Sequence, residues 1–140
     1  MSQIRINEKT REAFENLLEL LKQIEGIVDV VLVEGNRDTR ALRNIGYTGE
    51  IVPCSQIGIS NYELVEDIAQ KFSNVLILTD FDREGVLIEN NFRGLFEHKN
   101  IKVEDELRRR IGNLMARLRI YAIESIDNVK EKLDRNLMVF

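Results

Sequence analysis

LILTDFDREG, residues 76–85, runs from apolar chain straight into a knot of charge. With Val75 ahead of it, the stretch Val75–Leu78 is unbroken and apolar. So short a run fits a strand covered on both faces, ending at Thr79. Asp80, Asp82 and Glu84 then arrive with Arg83 among them. Carboxylates gathered at the mouth of a core need a reason.

A second run of this kind lies upstream. Val28–Val33 (VDVVLV) is rich in β-branched residues and ends in Glu34 and Gly35. Glu50–Pro53 and Ile101–Val103 are shorter strand candidates. Helical spacing fills the gaps. Phe14, Leu17, Leu18 and Leu21 recur at i, i+3, i+4 and i+7, between an N-cap at Asn7 and a stop at Gly26. Residues 36–45 turn Ala41, Leu42 and Ile45 inward, with Gly46 closing the helix. Ser60 and Glu63 read as a capping box before a helix lined by Leu64, Val65, Ile68, Ala69 and Phe72. Residues 83–98 form a helix burying Ile88, Phe92, Leu95 and Phe96. Leu107, Ile111, Leu114, Met115 and Leu118 share one helical face, and Ile126, Val129, Leu133 and Leu137 mark a last helix.

Strands separated by helix-length segments pair in parallel through right-handed crossovers. The expected fold is one α/β domain: a parallel four-stranded, Rossmann-like sheet with helices on both faces. An N-terminal helix (1–26) and a C-terminal helix (126–140) flank a domain at 27–125. In such sheets ligands bind beyond the carboxyl ends of the strands, where strand order reverses. If the order is 2-1-3-4, Glu34 meets Asp80 and Asp82 there.

Composition narrows the options. A length of 140 residues with 44% hydrophobic content suits one globular domain. Cys54 is the single cysteine, so no internal disulfide forms and a reducing, cytoplasmic location is expected. It reads as a small packing residue, and the lone histidine, His98, as a helix-end residue. No apolar stretch is long enough to span a membrane, and the N-terminus lacks a signal-peptide core. The net charge of −4 argues against a protein that coats duplexes, although local distribution matters more than the sum.

Two carboxylates about 5 Å apart repel by roughly 3 kcal/mol at an effective dielectric of 20. A hard divalent cation removes that repulsion, and Mg²⁺ commonly takes one or two carboxylates together with phosphate oxygens. Glu34, Asp80, Asp82 and Glu84 are therefore candidate metal ligands, with Arg83 placed for an anion. The plainer alternative is a solvated acidic turn in which Asp80 or Asp82 caps the next helix.

VLVEG at 31–35, followed by Asp38, together with LILTDFDREG at 76–85, resembles the Toprim domain. That domain is shared by type IA and type II topoisomerases, DnaG-type primases, OLD-family nucleases and RNase M5. The resemblance covers about residues 27–125 and is similar to small stand-alone archaeal members. It implies that Glu34 is a general acid or base at the scissile phosphate. Asp80 and Asp82 would hold Mg²⁺ (or Mn²⁺), and Glu84 would be the third acid of the topoisomerase version. It also implies close backbone approach at Gly35 and a turn at Gly85. Tyr47, Tyr62 and Tyr121 have no second domain to present them as nucleophiles and read as packing residues. No template-binding module accompanies the domain, so strand passage and priming are not expected.

Residues 105–119 hold Arg108, Arg109, Arg110, Arg117 and Arg119 against Asp105 and Glu106. Beside a phosphate-directed site they form an expected nucleic-acid footprint, joined by Arg37, Arg40 and Arg83. A solvated, ion-paired helix is the alternative. Few aromatics disfavour a stacking platform for single strands, so backbone or shape recognition of structured RNA or DNA is expected, and the resemblance to RNase M5 implies RNA rather than DNA. Three functions follow. The first is an RNase M5-like, metal-dependent ribonuclease, and the second a non-catalytic RNA-binding subunit of a processing or replication assembly. The third is a receiver-like phosphate switch, disfavoured because no lysine stands in the right place after the fourth strand. A homodimer is expected, because one small domain offers little surface to grip a polymer.

Overall fold

The structure, a computed structural model, describes residues 7–138, with side chains as far as Arg135. In chain order the elements are α1 (Glu8–Ile24), β1 (Val30–Val33), α2 (Asn36–Asn44), β2 (Ile51–Pro53), α3 (Asn61–Lys71), β3 (Asn74–Ile77), α4 (Arg83–His98), β4 (Lys102–Val103), α5 (Asp105–Arg117) and α6 (Ser125–Met138). The sheet is parallel throughout, in the order β2-β1-β3-β4. This is the α/β fold expected from the sequence, with the reversal of strand order between β1 and β3.

Alternating strand residues feed two separate cores. Val31, Val33, Leu76 and Leu78 face α1, α2, α5 and α6 through Phe14, Leu17, Leu42, Ile111 and Ile126. Val30, Leu32, Val75 and Ile77 face α3 and α4 through Leu64, Ile68, Phe92 and Phe96. Period-2 alternation with both faces covered makes these strands apolar at every position. Leu137, expected inward, lies outside the described side chains.

Helix ends follow local chemistry. Asn7 caps α1 by accepting from the Thr10 amide at 2.8 Å. Ser60 accepts from the Glu63 amide at 3.1 Å, and its hydroxyl donates to the Glu63 carboxylate. Gly46, at φ +99°, follows the end of α2, a conformation that favours glycine. β1 starts two residues later than the sequence suggested. The Val28 amide closes the turn after α1 on Ile24 O, and Asp29 is drawn sideways to accept from the Ser73 and Asn74 amides. Asn74 answers by accepting from the Asp29 amide and donating to Glu104. These bonds tie the amino ends of β1 and β3 to each other and to Glu104, just past β4, away from the acidic ends.

Candidate metal centre

Register brings the acids together. Leu32 pairs with Ile77, and the Leu78 amide donates to Leu32 O at 2.7 Å. Continuing both chains places Glu34 beside Thr79 and Asp80. The Glu34 carboxylate accepts from the Asp80 amide at 2.8 Å, across 46 positions of sequence. Asp80 Oδ1 accepts in turn from the Ile123 amide at 3.0 Å, which draws in the loop before α6. Asp82 Oδ1 accepts from the Gly85 amide at 2.7 Å and is the N-cap of α4. Glu34, Asp80 and Asp82 each use one oxygen in this way. Their second oxygens accept no bond among the described residues.

Two further acids join them. Asp38 is buried within the first turn of α2 and accepts from the Gly35 amide at 3.1 Å. Glu124 lies one residue past Ile123. Burial and neighbouring charge act together on three of these acids. Burial pushes the Glu34 carboxyl above its ordinary value; the Asp80 amide opposes this, and Asp80, Asp38 and Asp82 add to it. Burial also raises Asp80, helped by Asp38, Asp82 and Glu124 and opposed by the Ile123 amide. Asp38 is raised first by burial and then, against the Gly35 amide, by Glu124. No cationic side chain is a cause of any of these three shifts. The donor set is all oxygen, mutually repelling and half sheltered, which suits a hard divalent cation. No three His, Cys, Asp or Glu side chains among the described residues already stand as a ligand group. The acids rest on backbone amides, each with an oxygen to spare.

Gly85 sits against the turn. A Cβ there would stand 2.0 Å from the carbonyl oxygen of Asp80, so only glycine lets α4 begin so close to the acid-bearing loop. Gly35 is less constrained: its φ of −152° is ordinary extended backbone, and a Cβ would meet only Ser55 Oγ, at 3.4 Å. Glu84 is exposed in the first turn of α4.

The arginines do not share one face. Arg108 corrects the expected footprint. It is 6% exposed and donates to Ile77 O, Thr79 O and Asp80 O at 3.0, 2.9 and 3.2 Å. Its Nε pairs with buried Glu89 at 3.0 Å, and its guanidinium lies 4.2 Å from the Phe81 ring centre. A side chain so occupied inside the molecule clamps the end of β3 and has little left for a phosphate. Arg109 is exposed and paired with Glu106. Arg110 and Arg117 lie toward α1, beside Glu19 and Gln23. Arg37 and Arg40 lie near Glu124 and Asp127 at the start of α6. Arg83 is exposed at the start of α4.

The other candidates follow their environments. Burial pushes the Cys54 thiol up to about 11, which fits a packing role. His98 is exposed in the last turn of α4. Tyr47 packs in the core, but Tyr62 and Tyr121 are 52% and 61% exposed, contrary to the packing role expected of them. Sequence reasoning missed the part of Asp38 and Glu124 in the acid group. Asp38 had a signal, being one helical turn beyond Glu34-Gly35. Glu124 had none, because only the fold brings the 119–124 loop to Asp80.

This geometry agrees with the comparisons. The Toprim domain model matches residues 29–110, and the chain belongs to that family. Its relatives include small archaeal UPF0292 proteins. The one from Thermococcus onnurineus is 35% identical over 113 residues, covering 81% of this chain and 80% of that protein. The one from Methanosarcina barkeri is 31% identical over 133 residues, covering 95% and 91%. A solved structure from Aquifex aeolicus has the same fold, with a TM-score of 0.65 at 24% identity over 79% of this chain and 95% of that one. Family membership associates the chain with metal-dependent nucleic-acid processing. No described helix is long and apolar enough to cross a membrane.

Two predictions follow from the charges. Removing one partner of a buried pair leaves the other unpaired, so Arg108→Ala should lower unfolding free energy by about 3 kcal/mol in urea titrations. Arg93 still reaches Glu89, which keeps the loss from being larger. Arg109→Ala, at an exposed pair, should change almost nothing. For the acids, the folded protein holds protons that the unfolded chain has already lost. Their effect is therefore a loss of stability as pH rises from the ordinary carboxylate range through the raised values, complete at neutrality. Asp38→Asn keeps the acceptor and removes the charge. In chelator it should melt higher than wild type at about pH 7, and the two should converge on acidification.

Proposed function

We propose that this protein is a divalent-metal-dependent nuclease that hydrolyses phosphodiesters of structured RNA, in the manner of RNase M5. The observation that carries the reading is the meeting of Glu34 with the Asp80 loop, where burial and neighbouring carboxylates raise Glu34, Asp38 and Asp80. Asp80 and Asp82 would hold Mg²⁺ or Mn²⁺, with Asp38 and Glu124 supplying negative potential around them. When bound, the ion supplies Lewis-acid polarisation of a phosphoryl oxygen.

Glu34 handles the proton. Its raised affinity for a proton brings it nearer the working pH, as a general base requires. One of its oxygens is fixed on the Asp80 amide and the other is free to take a proton from an attacking water. As the P–O bond breaks, that proton passes to the leaving oxygen. Arg108 holds the Ile77, Thr79 and Asp80 carbonyls and so keeps the loop still while this happens. The alternative, a non-catalytic RNA-binding subunit of a processing or replication assembly, draws on the anchoring of Glu34, Asp80 and Asp82 to backbone amides.

Labelled hairpin RNA, single-stranded RNA and duplex DNA, each with Mg²⁺, Mn²⁺ or chelator, separate the two. The nuclease should cut the hairpin with metal, and Glu34→Gln and Asp80→Asn should each reduce cutting by at least about a hundredfold. Hairpin binding that persists in chelator, with no cutting under any condition, would leave only the non-catalytic reading.

A further inference from the structure

We infer that a nucleic-acid backbone is held in a cationic groove that leads away from the acid group across the first turns of α6, a reading that rests on the function proposed above. A cavity of about 810 Å³ opens where the start of α1, the end of α5 and the side of α6 meet. Lys9, Arg117, Arg119 and Lys132 line it, and Glu12 is the only acid among its lining residues. The volume would accommodate a nucleotide-sized group, and polar side chains from Asn7, Thr10, Ser125 and Asn128 accompany the cations.

Three observations tie this cavity to a phosphate polymer. The first is pairing. Among the described residues the four cavity cations have no acidic partner; Arg11, Lys22, Arg37, Arg40, Arg43, Lys71, Arg83 and Arg110 also have none, but only here do four such cations line one hollow. Four like charges around one hollow repel, and an anion relieves them. The second is the course of the backbone. Arg119, at φ 57°, is the left-handed residue that ends α5, its amide on Ala116 O and the Ile120 amide on Met115 O, and it turns the chain toward the cavity.

The third is continuity. Ser125 and Asn128 line this cavity and also a second hollow, whose walls carry Arg37, Arg40 and Glu124. Glu124 directly follows Ile123, whose amide holds Asp80 Oδ1 at 3.0 Å. One loop, residues 119–124, thus joins the cavity to the candidate metal centre: Arg119 lines the cavity, and the Ile123 amide holds Asp80. A backbone cut at the acids would run over Arg37 and Arg40 and continue into the four cations, several phosphates from the scissile bond. The footprint lies at the end of α5 and on α6, rather than along the arginine triplet 108–110.

The test uses full-length protein, a fluorescent RNA hairpin and chelator, so that binding is read without metal. Affinity is measured over a range of salt. Replacing Lys9, Arg117, Arg119 and Lys132 together by Gln should flatten the slope of log Kd against log salt by roughly 3, close to one for each phosphate no longer neutralised. Lys130→Gln with Arg135→Gln, on the same helix but outside the cavity, should leave it unchanged. An unchanged slope in the fourfold variant, with its melting temperature intact, would overturn the groove. So would inorganic phosphate or a mononucleotide binding as tightly as the hairpin, since the cavity would then serve a small ligand. The nuclease reading fails separately. A flattened slope with no cutting by wild type retains the groove and removes the catalysis, and Asp80-dependent cutting with an unchanged slope does the reverse.

Discussion

The bond from the Asp80 amide to the Glu34 carboxylate is the constraint on which the functional end of this protein depends. It joins the loops after β1 and β3 at the place where strand order reverses. It also fixes an acid at the carboxyl end of the sheet, where acids repel. In isolation the arrangement is unfavourable: Glu34, Asp38 and Asp80 all hold protons more tightly than exposed carboxylates do. The fold tolerates it because amides from Gly35, Asp80, Gly85 and Ile123 each meet one carboxylate, and because Arg108 braces the end of β3 from below. Charge density is thereby stored at the surface in a form that a cation can relieve.

The two faces of the sheet contribute differently. The core beneath α3 and α4 is built from Leu64, Ile68, Phe92 and Phe96 and sets where α4 begins. That start requires Gly85, because nothing larger fits against Asp80 O. The other core, under α1, α2, α5 and α6, carries Arg108 to the end of β3 and the 119–124 loop to Asp80. The amino-terminal helix and the last helix thus shape the surroundings of the site, by walling the cationic cavity beside it.

Much of this was legible in the sequence because the determinants are local. Unbroken runs such as VVLV and VLIL specify strands covered on both faces, and helix-length spacers specify parallel order. The capping of α1 by Asn7 and of α3 by Ser60 follows from nearest neighbours. What was not legible depends on tertiary packing. Arg108 stands in a triplet with Arg109 and Arg110, and composition alone makes the three equivalent. Only the register of α5 on the sheet turns the first inward to Glu89 while its neighbours stay in solvent. Glu124 joins the acids for the same kind of reason, through a loop whose position no short-range pattern encodes.

The central claim is that these carboxylates gather one divalent ion. Backbone amide signals followed during titration with paramagnetic Mn²⁺ test it directly. A single site predicts that, at less than one equivalent, the amides of Gly35, Asp80, Gly85 and Ile123 broaden first and together, and that added Mg²⁺ restores them. Broadening scattered over the acidic surface, with these four no more affected than the exposed start of α1, would contradict the account.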